Sequence, residues 1–205
     1  MGINGFISDK YKMEYIPQRL LSLEACTLAC HTILSGKDKS TPFELDLGSS
    51  KLQQPDLSIF IGLALDAGIV ANRTLLNFMG LKLDNHDIVN SGYTLNISKF
   101  SQPLVPVTDA CRILKSNHFS EYEIKDMWIE ALTVASKSIA HFTETGATIS
   151  VAKLGIACYA TSKLVRHYFF DAMSENQPQS IITPEIEPKS DSLWGIVHNH
   201  YDRMC

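Results

Sequence analysis

Apolar positions in this chain recur mainly with helical spacing. From Asp56 to Phe78, the residues Phe60, Leu63, Ala64, Ala67, Ala71 and Phe78 share one face. Leu65, Ile69, Leu76 and Met79 cover much of the opposite side. A helix that is apolar nearly all round is expected to be buried. A second helix is predicted over 120–144, where Ser120 and Glu123 make a capping-box pattern. Ile124, Trp128, Ala131, Leu132, Ala135, Ile139 and Phe142 form its core face. The run 147–174, after Gly146, is apolar on almost every side and should be central. A first helix is expected over 17–35, with Pro17 in its first turn and Gly36 at its exit. A shorter helix is expected within 103–116.

Strand signals are fewer. Phe43, Leu45 and Leu47 alternate with Glu44 and Asp46, and Tyr93, Leu95 and Ile97 alternate further along. A lone strand leaves its backbone groups unpaired, so these two segments are expected to pair with each other. The fold expected is all-α, a bundle of about five helices with a minor two-stranded β-ladder of 43–47 with 93–97. One domain is expected over 1–174. Pro178, Pro184 and Pro188 mark 175–191 as an extended linker, and 192–205 should form a short docking helix bearing Trp194, Ile196 and Val197.

Composition narrows the class further. With 205 residues, 45% hydrophobic, 20% charged and a net charge of −4, the chain can bury a sizeable core. Those values exclude a disordered segment, a collagen-like repeat and a small disulfide scaffold. They also leave no strong basic surface for nucleic acid. The first fifteen residues are mixed polar and do not read as a secretory leader. The longest apolar stretch, 57–71, falls short of a bilayer span and contains Asp66, so no membrane partner is expected. Cysteines at 26, 30, 111, 158 and 205 are odd in number and scattered, which fits reduced packing thiols and a cytoplasmic setting.

Two polar features interrupt the apolar helices. In the helix from Asp56, the residues Asp66, Arg73 and Asn77 fall in one narrow sector, where Asp66 could orient Arg73. A charge in a buried sector must be paired, and such pairs serve either packing or a site. Along one edge of the helix from Ser120 run Glu130, Val134, Lys137 and His141. There a half-exposed histidine could titrate near neutral pH. Neither His198 with Asp202 nor Cys26 with Cys30 supplies the four ligands of a structural metal site, and no cofactor or metal is expected.

The run Lys137-Ser138-Ile139-Ala140-His141 resembles the "R-[ND]-K-x-x-A-H" signature of HEPN-type helical domains. Such domains occur in prokaryotic toxin–antitoxin and phage-defence systems, and many are ribonucleases that act as dimers. The matching positions are Lys137, Ala140 and His141. Ala135 stands where the family has its arginine, so the cation that would stabilise a phosphate transition state is missing from the motif. The resemblance implies a HEPN-like domain that binds RNA, nucleotide or a protein partner, as a homodimer in the family's usual arrangement. The candidate site comprises His141, Arg73 and Lys137, with Asp66, Asn77 and Glu130 as ligand contacts. Two alternatives stand beside it. One is a metal-independent ribonuclease, with His141 activating the 2′-hydroxyl and Arg73 or Lys137 holding the phosphorane. The other is a purely structural helical interaction module.

Overall fold

The computed structural model describes residues 8–92, 95–139 and 148–195. It is mostly helical, with two small antiparallel hairpins. Helix α1 (Ser8–Lys10) runs through a π-helical turn, Tyr11–Tyr15, into α2 (Ile16–Leu34). The helix therefore begins well before Pro17. In the π turn the Ile16 N–H reaches back five residues to the Tyr11 carbonyl. That wider turn lets the chain pass a proline without a break. The exit is as expected: Gly36 takes φ +71°, and its N–H donates to the Ile33 carbonyl.

The strand β1 (Phe43–Asp46) pairs not with 93–97 but with β2 (Lys51–Gln54), in a register of Phe43 opposite Gln54. Asp46 Oδ1 accepts from the Gly48 N–H, and Gly48 takes φ +77°, which turns the chain back at once. Closing this short loop costs less chain entropy than bringing in the segment about fifty positions further along the chain. A second hairpin, β3 (Leu81–Asp84) with β4 (Asp87–Asn90), turns through Asn85 and His86, both at positive φ. Two such residues make the turn that matches strand twist. Downstream, Ile97 opens a short 3-10 turn rather than a strand, while residues 93–94 are outside the described residues.

The long helices are α3 (Ser58–Phe78), α5 (Glu121–Val134) and α6 (Val151–Val165), with a single-turn α4 (Val107–Cys111) between the second hairpin and α5. Ser120 Oγ accepts from the Glu123 N–H while the Glu123 carboxylate accepts from the Ser120 N–H, completing the predicted capping box. Helix α2 lies against both α3 and α6, and α5 covers α6. Ala29 packs with Ile61 and Ala64, whereas Ile16 lines a cleft with Phe78, so α2 and α3 run antiparallel. The core extends over α2, α3, α5 and α6 and includes Leu20, Leu23, Leu76, Trp128 and Leu164, all 0–1% exposed. Helix α6 is buried almost throughout, as its all-round apolar sequence requires.

Helix α3 departs from the sequence reading. One of its faces is uncovered: Ile59, Leu63, Asp66, Ala67, Val70 and Arg73 are all exposed. Among the described residues no element lies over that stripe, so its charges are exposed rather than buried.

The segment 175–191 is extended but tied down. Ser180 Oγ and the Ile181 N–H donate to Glu24, and Asn117 donates to the Pro188 carbonyl. Trp194 docks fully buried, its ring where a side chain on Gly155 would otherwise stand. The remainder of the expected docking helix lies outside the described residues.

Candidate functional site

At one end of the α2–α3 pair, the π turn, the start of α2 and the end of α3 enclose a cleft of about 460 Å³, within the usual range for small-ligand sites. Aromatic packing supports its wall behind Phe78 and Tyr11. Phe78, Phe100 and Phe169 meet edge to face at centroid separations of 5.0–5.7 Å, and Tyr11 abuts Phe100 at 6.4 Å. Tyr15 stands edge-on to Tyr11 at 5.1 Å, with Lys10 Nζ 5.3 Å above its ring. Gln18 and Arg19 enter from α2, while Arg73 and Asn77 enter from α3.

Arg19 and Arg73 are both exposed, and among the described residues neither has a hydrogen-bond or ion-pair partner. Two unpaired guanidiniums beside an apolar, aromatic wall can hold an anion while the wall takes a flat apolar group.

The structure thus brings two of the sequence-predicted residues, Arg73 and Asn77, into one cleft. Asp66 is not with them. It lies seven positions before Arg73, about 10 Å along the axis, and among the described residues no hydrogen bond or ion pair joins the two. The expected orienting role is therefore corrected: the two side chains share a stripe, not a bond. Glu130 is engaged elsewhere, accepting with Asp126 from Lys153 Nζ at 2.5 and 3.0 Å. Burial alone would lower the Lys153 pKa, yet these two carboxylates hold it above its ordinary value. Val134 is buried. Lys137 is exposed on the π-helical turn Ala135–Ile139 that extends α5, and it does not line the cleft. His141 lies outside the described residues.

Tyr11, Tyr15 and Arg19 escaped the sequence reading. They recur at spacings of four along a single helix, a signal hidden by starting that helix at Pro17.

A second cavity, about 320 Å³, lies between α6 and the extended C-terminal segment. Its polar groups are satisfied internally. Glu24, 2% exposed, accepts from Ser162, from Arg166 Nε and Nη2, from Ser180 and from the Ile181 N–H. Arg166 also donates to the Pro178 carbonyl. Nearby, Tyr159 donates to Glu187. Burial acts to raise the Glu187 pKa, but hydrogen bonds from Tyr159 and Asn117 and the charge of Lys163 hold it below its ordinary value. This network fastens the C-terminal segment to α2 and α6, and among the described residues it leaves neither lining cation, Lys163 nor Arg166, without a partner.

Among the described residues, no group of three or more His, Cys, Asp or Glu side chains is placed to hold a metal ion. Compared with known protein families, curated proteins and solved structures, the chain matches none of them.

Proposed function

We propose that this chain binds a small anionic ligand of the nucleotide class in the cleft between the start of α2 and the end of α3. The observation that carries the reading is a pair of arginines without partners among the described residues, Arg19 and Arg73, beside a wall containing Tyr11, Tyr15 and Phe78. Phosphate oxygens would accept from the guanidiniums, a base would lie against the tyrosines, and the Gln18 and Asn77 amides would meet its polar edge. The volume suits one nucleotide, not a nucleic-acid strand. The net charge of −4 agrees, since it gives no overall attraction for a polyanionic strand.

Titration calorimetry with nucleoside 5′-monophosphates, with the matching nucleosides and inorganic phosphate as controls, tests this. Monophosphates should bind more tightly than either control. A charge-assisted hydrogen bond contributes about 1.5–3 kcal/mol, so each of Arg19→Ala and Arg73→Ala should weaken binding roughly tenfold or more. Equal binding of nucleoside and nucleotide, or an unaffected Arg19→Ala/Arg73→Ala protein, would overturn the proposal.

A further inference from the structure

The exposed face of α3 carries a second message and shares only Arg73 with the ligand cleft. Ile59, Leu63, Asp66, Val70 and Arg73 follow one another at spacings of four, three, four and three residues. That repeat keeps them on one side of a helix and is the spacing by which two helices pack along a seam. Ile59 is 44% exposed, Leu63 67% and Val70 37%. Between them lie the small residues Gly62 and Ala67, and a side-chain carbon added at Gly62 would meet nothing within 4 Å. Contiguous apolar exposure of this kind marks an interaction surface.

The charges in the stripe identify its occupant. It contains one acid, Asp66, and one base, Arg73, and neither has a partner among the described residues. They are disposed so that the surface complements itself. Lay a second copy of α3 antiparallel across a twofold axis near Val70. Each Asp66 then comes level with the other copy's Arg73, both ion pairs form at once, and the two Val70 side chains meet on the axis. Leu63 packs beside the aliphatic stem of the opposing Arg73, and Ala67 lets the helices approach. A twofold interface requires this reciprocity, residue i on j and j on i.

The geometry points to a homodimer of this chain formed through the α3 stripe, held by reciprocal Asp66–Arg73 pairs around an apolar centre of Leu63, Ala67 and Val70. From Leu63 to Asn77 the contact spans about 21 Å of helix. A single helix face of that length buries less than the roughly 800 Å² per partner of a standard interface, so the dimer should be concentration-dependent. Arg73 stands where the stripe meets the rim of the ligand cleft. Leu63 touches only the stripe and Arg19 only the cleft, so variants at these two positions separate the two proposals.

Sedimentation velocity across micromolar to near-millimolar protein tests the dimer. The unmodified chain should pass from monomer to dimer over that range, and Leu63→Glu should stay monomeric. D66R and R73D, each alone, should weaken association more than tenfold, because every pair becomes Arg–Arg or Asp–Asp. An equimolar mixture of D66R with R73D should associate again, since both pairs in the mixed dimer are then opposite in charge. All three positions are exposed, so circular dichroism should show unchanged folding. A chain monomeric at every concentration overturns the inference. So does a dimer indifferent to Leu63→Glu, or a D66R and R73D mixture that fails to associate. A monomer that instead co-sediments with zwitterionic lipid vesicles overturns it too, and assigns the face to a bilayer.

Discussion

Gly62 and Gly68 sit less than two turns apart on α3 and have opposite meanings. A carbon added at Gly68 would lie 2.2 Å from Cys26 Cβ and 2.5 Å from its sulfur, so the glycine is what lets α2 approach. At Gly62 the same carbon meets open space. Glycine inside a helix costs about 0.5–1 kcal/mol relative to alanine through lost backbone entropy. Gly62→Ala should therefore raise unfolding free energy by about that amount in dilute, monomeric protein. Gly68→Ala should lower it by roughly 1–3 kcal/mol, the usual cost of overpacking. Urea denaturation monitored by circular dichroism checks both, and equal effects of the same sign would refute the packing account. The sequence shows two glycines in one apolar helix. Only the position of Cys26 separates them.

Between elements, the principal polar joint connects α2, α6 and the extended segment through Glu24 and Arg166. Their side chains are 2% and 11% exposed, with Oε1 and Nη2 2.7 Å apart. Desolvating both charges offsets much of their attraction, so the pair stabilises mainly by comparison with a broken one. Glu24→Ala, which strands a buried guanidinium and unties Ser180 and Ile181, should cost about 3–5 kcal/mol. A Glu24→Met/Arg166→Met double variant should cost clearly less than the sum of the two single changes. Chemical denaturation of the four proteins in a double-mutant cycle measures this coupling, and simple additivity would show that no such joint exists. Helix positions were legible along the chain because burial imposes a 3.6-residue period and Ser120 with Glu123 writes its own cap. The hairpin partners were less so. Both turns depend on left-handed residues, Gly48 in one and Asn85 with His86 in the other, which carry no hydrophobic signature.

For the whole molecule, the segment 175–191 contributes to how the structure responds to acid, alongside Asp56 and Asp87, whose pKa values are also lowered by hydrogen bonds. Glu187 receives Tyr159 and Asn117 and faces Lys163, so its folded pKa lies below its ordinary 4.5. A depressed carboxylate contributes stability that is complete above the unfolded value and is lost as pH falls through the folded one. Thermal stability should therefore decline below about pH 4.5, with release of the segment, and Glu187→Gln should flatten that acid limb. Melting curves between pH 3 and 7 follow it, and an unchanged acid slope in Glu187→Gln would place the sensitivity elsewhere. At this scale the contributions of sequence and structure divide by physical cause. Periodicity and composition by themselves determined a mostly helical chain with a large apolar core, because those properties are set by local spacing and by totals. They also singled out Arg73 and Asn77, since one helix fixes their shared sector. What covers a helix face, and which distant side chains meet at its end, follows from the mutual packing of α2, α3 and α6. Tertiary structure alone therefore decided that the Asp66–Arg73 stripe faces outward, that Arg19 and two tyrosines join Arg73, and that the C-terminal segment is bound to the domain.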